Sequence, residues 1–319
     1  MTPDEKRGPG HVLALAGGVG GAKLVRGLAL TVPPEQLTVV VNTADDFEHL
    51  GLTICPDLDS VSYALAGLND TERGWGLRDE TWQFMAALGR YGAATWFNLG
   101  DQDLATHVLR THKLRSGDTL TSATQSLTQA LGIECRVAPM CDEPVRTLVD
   151  TDEGQLEFQR YFVDRQCEPR VAGFTYAGAN TAQMSEPFEQ ALKRADLRAI
   201  VICPSNPFIS IDPMLTLPGV KDAIAKAAAP VVAVTPIVGG SAIKGPAAKM
   251  LDELGLSCSA QGIASHYGTV LDGFVLDQCD SALLDSLAPL PAILTDTMMY
   301  GDDEKRAVAR VALDFAALL

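Results

Sequence analysis

Residues 12–30 read VLALAGGVGGAKLVRGLAL. A short apolar run, Val12–Ala16, ends in Gly17, Gly18, Gly20 and Gly21; Lys23 and an amphipathic segment follow. Strand, glycine turn, helix is an order that lets a ligand approach the backbone and puts an anion at a helix N-terminus. Yet neither standard phosphate fingerprint is met. Counted from Gly18, G-x-G-x-x-G needs a glycine where Lys23 stands. Counted from Gly17, G-x-x-x-x-G-K-[ST] keeps its lysine at Lys23 but has Ala22 for the glycine and Leu24 for the hydroxyl. That hydroxyl is the usual magnesium ligand, so any phosphate here rests on backbone amides around Gly17, Gly18 and Gly20, with Lys23 beside them. The plain alternative is a tight turn with a solvated lysine.

Outward from this stretch, strand-like and helix-like segments alternate. LTVVV (37–41) is apolar and β-branched throughout, which predicts a strand buried on both faces. ATWFNLG (94–100) is a further strand candidate. Helices are expected around 23–30, at SVSYALAGL (60–68), and in RDETWQFMAALGRYG, DQDLATHVLRTHKL and TLTSATQSLTQALGI. The last has Thr121 as its cap and Gly132 as its stop. From 134 to about 178 the texture changes: CRVAPM, RTLVDT and LEFQRYFV are separated by turn signals, as in an antiparallel insert. LRAIVIC, PVVAVTPIV and DGFVLD then alternate with GVKDAIAKAAA, GPAAKMLDELG and a terminal helix. The expected fold is α/β: a mostly parallel sheet with helices on both faces, plus a smaller antiparallel insert. Residues 11–133 and 196–319 form the core, 134–195 the insert, and 1–10 a disordered lead-in.

Bulk properties narrow the function. At 319 residues and 47% hydrophobic, the chain can bury a substantial core. No apolar run reaches the roughly 18 residues of a membrane span. MTPDEKRGPG lacks the apolar stretch of a signal peptide, so the cytoplasm is the expected location. The seven cysteines contain no C-x-x-C pair, which argues against a zinc site or a disulfide framework. With 25 basic and 40 acidic residues the net charge is −15, the wrong sign for tracking a nucleic-acid backbone. A small phosphorylated ligand stays possible if amides, local basic groups or a metal neutralise it.

In open α/β sheets ligands lie beyond the carboxyl ends of the strands, so loops that follow strands carry the information. After the glycine loop comes VNTADDFEHLGLTICPDLDS, with Asn42, Thr43, Asp45 and Asp46, then Asp57 and Asp59. Clustered carboxylates suit Mg²⁺ shared with substrate phosphates, or a base that takes a hydroxyl proton. The bland reading is that Asp57 or Asp59 caps the next helix. FNLGDQDLATH offers Asn98, Asp101 and Asp103, either acid being a possible helix cap; a lone helical histidine, His107, is more often structural, and nothing is built on it. CPSNPFISI offers Ser205 and Asn206 for a base, ribose or phosphate, and TPIVGGSAIKGPAAK adds glycines and Lys244.

Taken in order, GGVGGAK (17–23), VVNTADD (40–46), PDLDS (56–60), LGDQDLATH (99–107), PMCDEPV (139–145), PSNP (204–207) and VTPIVGGSAIKGPAAK (234–249) resemble the 2-phospho-L-lactate transferase family, across residues 12 to about 280. The resemblance implies a Rossmann-like core with an inserted part, in a homodimer. It implies transfer of a phosphorylated three-carbon acid from a guanosine diphosphate adduct to the ribityl hydroxyl of the deazaflavin Fo. GMP is released and Mg²⁺ assists, in coenzyme F-420 biosynthesis. It places Fo at Asp59 and Asn98, the latter a departure from the basic residue of many members. Joined to the chemistry above, it assigns Asp45 and Asp46 to catalysis and Asp46, Asp57 and Asp59 to the metal. Gly17, Gly18, Gly20, Lys23, Ser205 and Asn206 are assigned to nucleotide and phosphate. A nucleotide-sugar-binding regulatory protein of the gluconeogenesis-factor type shares the glycine-rich opening but carries DDGGS where this chain has ADDFEHLG. A dinucleotide oxidoreductase is disfavoured by the failed fingerprint.

Overall fold

The computed structural model describes residues 10–242 and 245–319. Lys244 and, apart from Gly10, the expected lead-in lie outside the described residues. In chain order, β1 (His11–Ala16), α1 (Gly18–Ala29) and β2 (Leu37–Val41) lead to a hairpin of β3 (Phe47–His49) and β4 (Leu52–Ile54). Helices α2 (Pro56–Ala66), α3 (Gln83–Arg90), α4 (Asp103–Arg115) and α5 (Leu120–Ala130) follow. Next come β5 (Arg136–Pro139), β6 (Arg146–Thr151), β7 (Gly154–Glu157), β8 (Val171–Ala177), α6 (Glu186–Leu192) and β9 (Leu197–Ile202). Then α7 (Asp212–Thr216), α8 (Val220–Lys226), β10 (Val231–Val234), β11 (Ile237–Val238) and β12 (Ser241–Ala242). The chain closes with α9 (Ala247–Glu253), α10 (Ala260–Tyr267), β13 (Gly273–Asp277), β14 (Ala292–Thr295) and α11 (Asp302–Ala316).

Strands of the main sheet divide their side chains between two cores. Val12, Ala14 and Ala16 of β1 pack with α1, α2 and α11 on one face, while Leu13 and Leu15 pack with α6 to α10 on the other. Period-two alternation does this only if both faces are covered, which is why LTVVV is buried at all five positions. The order is β14-β13-β10-β9-β1-β2-β5, and every neighbouring pair runs parallel. A separate antiparallel sheet, β7-β6-β8, rests against the second face. The expected α/β architecture is the observed one.

Local differences have local causes. CRVAPM, expected inside the antiparallel stretch, supplies β5, the parallel edge partner of β2. ATWFNLG forms no strand; Trp96, Phe97 and Leu99 instead pack around Phe47 beneath the β3–β4 hairpin. A short apolar run satisfied by packing looks the same in sequence as one satisfied by a ladder. The cap of α5 is Thr119, not Thr121: its hydroxyl accepts from the Ser122 N–H at 3.1 Å.

Candidate active site

Chain connections diverge at β1 and β9. From β1 the chain moves to β2 and β5 on one side; from β9 it moves to β10, β13 and β14 on the other. Such a switch point opens a crevice at the strands' carboxyl ends. There Ser205 ties the two loops together, its hydroxyl accepting from the Gly17 N–H at 3.0 Å and donating to the Gly17 carbonyl at 2.8 Å. A Cβ on Gly20 would lie 2.3 Å from the Pro204 carbonyl oxygen, so this approach admits only glycine. Gly18 has φ of +63° and open space above it, so it needs glycine for its backbone rather than for packing. Lys23 lies further along α1, half-buried and engaged within the protein.

Several expected ligand groups spend their polar atoms here on the protein. The Asn206 Oδ1 accepts from the Phe208 and Ile209 N–H groups at 3.0 and 3.4 Å, and its Nδ2 reaches the Met250 sulfur at 3.5 Å. With the Ser205 hydroxyl committed to Gly17, these two side chains brace the crevice. Asp57 does not cap α2, whose N-cap is Cys55. It caps α1 from outside: Oδ1 accepts from the Gly18 N–H at 2.7 Å and Oδ2 from Asn42 Nδ2 at 3.0 Å. A carboxylate at a helix N-terminus is favoured by the dipole, yet burial still pushes Asp57 up to about 6.

Asp45 and Asp46 are in a different situation. They follow β2 in a loop clamped by the antiparallel part: the Thr147 N–H donates to the Ala44 carbonyl at 2.7 Å, and Gln159 Nε2 to that of Asp45 at 3.4 Å. Both side chains are buried, at 5% and 4% exposure, and the Oδ1 of each lacks a hydrogen-bond partner. Buried carboxylate oxygens without donors are costly and call for a proton or a cation. Burial accordingly drives Asp45 well above the usual carboxylate range, with the Asp57 and Asp46 charges adding to it. Burial pushes Asp46 up to about 7, against the pull of Cys55, Arg146 and Arg110.

The pair borders a cavity of about 280 Å³ lined by Glu48, Arg146, Glu157 and Phe158 among others. A neighbouring cavity of about 320 Å³ shares Asp46, Glu48 and Arg146 and extends to Thr111, Arg115 and Asp142.

Asp59 has its oxygens occupied. Arg110 Nη1 meets Oδ2 at 3.1 Å and Nη2 meets Oδ1. His107 stands between, its Nδ1 3.6 Å from Asp59 and its Nε2 3.3 Å from Asp103, whose other oxygen takes the Tyr63 hydroxyl. Asp59, Asp103 and His107 could bring one ligand atom each within 4.8 Å of one another. The Arg110 guanidinium already neutralises Asp59, so a second cation there would be repelled. His107 and Arg110 are therefore members of a buried network that no strand-end loop announces. The signal available was the helical spacing Asp103, His107, Arg110, which aligns them on one face of α4. Asn98 is exposed in the coil before α4 and joins none of these groups in the described structure.

Asp101 and Asp103, the expected caps of α4, do something else. Asp101 accepts from the Gln83 and Phe84 N–H groups at the start of α3, while Glu80 accepts from Gln102 and Asp103 at the start of α4. The two helices exchange caps.

A family model described as 2-phospho-L-lactate transferase CofD matches residues 12–302. Among curated relatives, a phosphoenolpyruvate transferase from Streptomyces griseus is 38% identical over 314 residues, covering 96% of this chain and 98% of its own. A 2-phospho-L-lactate transferase from Methanosarcina barkeri is 38% identical over 304 residues, covering 95% and 97%. Among solved structures, a UPF0052-family protein from Bacillus halodurans aligns with a TM-score of 0.64 over 96% of this chain and 100% of its own. At 16% identity that is a likeness of fold.

Proposed function

The chain belongs to the 2-phospho-L-lactate transferase family and is a transferase, and on that footing we propose its substrates and chemistry. It moves a phosphorylated three-carbon acid, of the 2-phospholactate or phosphoenolpyruvate type, from a guanosine diphosphate adduct to the ribityl hydroxyl of the deazaflavin Fo. The product belongs to coenzyme F-420 biosynthesis. The observation that carries the reading is the buried pair Asp45 and Asp46, with unpartnered oxygens beside a cavity at the carboxyl end of β2.

The donor's diphosphate lies against the N-terminus of α1. Asp57 and Ser205 already take the Gly18 and Gly17 amides, which leaves the following amides of that first turn, Val19 and Gly20, for phosphate oxygens. The Fo hydroxyl oxygen bonds to the phosphorus that carries the acid, in line with the bridging oxygen. The bond from that phosphorus to the bridge breaks, and GMP leaves with the electron pair. The hydroxyl proton passes to a carboxylate of the aspartate pair. Most of the acceleration comes from holding the two substrates in this geometry and offsetting charge.

Mg²⁺ fits Asp45 and Asp46, whose buried orphan oxygens ask for a cation. When bound it would neutralise phosphate charge. Asp57 and Asp59 are less suited as ligands, since Gly18, Asn42 and Arg110 hold their oxygens. A homodimer and a cytoplasmic location belong to the same reading.

The test is to mix purified protein with Fo, Mg²⁺ and each of the lactyl and enolpyruvyl diphosphoguanosine donors, and to weigh the products. The reading requires an Fo adduct carrying the acid and its phosphate, with one GMP released per adduct. Intact Fo with every donor would remove it.

A further inference from the structure

An anionic donor entering an acid-lined site needs positive charge where its own charge ends. Among the described residues lining the smaller cavity, Arg146 is the one basic side chain beside Asp45, Asp46, Glu48 and Glu157. The larger cavity adds Arg115, which is exposed and gives an amino group to the Gly51 carbonyl at 2.7 Å. Arg146 borders both. It is half-buried, its Nη1 donates to the Val145 carbonyl at 2.7 Å, and no carboxylate of the described residues forms an ion pair with it. Among the described residues no hydrogen bond engages the Nε–Nη2 edge of its fork.

The backbone holds this arginine in place. Arg146 opens β6, paired opposite Ala177 of β8, and the next residue, Thr147, is bonded to the aspartate loop through the Ala44 carbonyl. The aspartate loop leaves β2, which lies between β1 and β5. The sheet thus runs from the glycine turn after β1 to the β5 edge in two strand spacings, about 10 Å. A diphosphate plus a three-carbon acid is an object of that reach, with phosphates at one end and a carboxylate at the other.

We infer that Arg146 binds the carboxylate of the three-carbon acid in the donor. The inference rests on the transferase reading above and deepens it. A guanidinium meets a carboxylate through two parallel N–H···O bonds, which a lysine cannot reproduce. Because phospholactate and phosphoenolpyruvate share the carboxylate, Arg146 selects the class of donor and leaves the choice within it to other contacts.

The experiment compares wild type, Arg146→Gln and Arg146→Lys on two probes: lactyl diphosphoguanosine and the ethyl ester of GDP, which keeps the phosphates and lacks the carboxylate. Calorimetry gives affinity, and turnover with Fo separates KM from kcat. In Arg146→Gln the carboxylated donor should weaken by about 10- to 100-fold, mostly in KM, with the ester's affinity unchanged. Arg146→Lys should recover only part of the loss. Equal weakening of both probes would give the guanidinium to phosphate and overturn the inference, as would no weakening at all; thermal melts show whether the variants are folded. A wild type that turns over while Arg146→Gln keeps the same preference for the carboxylated donor overturns this assignment alone. A wild type that binds neither probe removes the transferase reading with it.

Discussion

Arg110 and Asp59 face each other as a forked pair inside the protein, Nη1 to Oδ2 at 3.1 Å, with side-chain exposures of 3% and 8%. Burial would lower the Arg110 pKa, but the Asp59 carboxylate more than reverses it, so the guanidinium stays charged. Removing one partner of a buried pair leaves the other uncompensated.

Arg110→Met should therefore cost about 3–5 kcal/mol of stability. The double variant Arg110→Met, Asp59→Leu should recover much of it, because no lone charge stays buried. Urea titration of the single and double variants reads this directly. A single variant as stable as wild type would mean that the pair is not closed in solution.

Asp46 gives a pH dependence of definite sign. Its folded pKa of about 7 lies above the ordinary 3.8, so between those values the folded chain holds a proton that the unfolded chain has released. The stability this proton confers is complete below the ordinary value and is lost as pH rises through about 7. Asp46→Asn keeps the neutral shape at every pH. In metal-free buffer its stability relative to wild type should rise between pH 5 and pH 8, by at most about 3 kcal/mol. Mg²⁺ at pH 8 should raise the Tm of wild type but not of the variant. Parallel melting curves at all pH values would contradict both statements.

The glycine turn can be tested position by position. Gly20→Ala places a methyl 2.3 Å from the Pro204 carbonyl oxygen, and backbone must move to admit it; a loss of about 1–3 kcal/mol is expected. Gly18→Ala meets no neighbour but must hold φ at +63°, at a cost of about 1–2 kcal/mol. Denaturant midpoints should fall in both. Because Gly18 faces open space, its variant should also weaken GDP binding beyond what its stability explains. GDP affinity unchanged in Gly18→Ala would place the diphosphate elsewhere.

Much of the fold is legible in the chain because burial on both faces leaves a compositional mark: LTVVV, LRAIVIC and VVAV admit little else than central parallel strands. The β3–β4 hairpin and the fate of ATWFNLG are not legible, since three-residue strands and aromatic packing leave no periodicity. At the site, sequence brings the four loops to one end of the sheet but cannot rank their carboxylates. Asp45, Asp46, Asp57 and Asp59 are the same residue type in similar loops; only the donors supplied by Gly18, Asn42 and Arg110 separate the satisfied from the orphaned. Those donors lie up to 51 residues away in the chain. Ser205 and Asn206 likewise look like ligand groups until Gly17 and the turn beyond Asn206 are seen to use them.

The claim that the aspartate pair is the reacting centre is tested most directly by single-turnover formation of the Fo adduct in Asp46→Asn, with donor binding measured in the same preparation. The account predicts a folded protein that binds the lactyl or enolpyruvyl donor and forms adduct at least about 100-fold more slowly, the scale of losing one group placed at the reacting atoms. Adduct formation at the wild-type rate by the folded variant would contradict it.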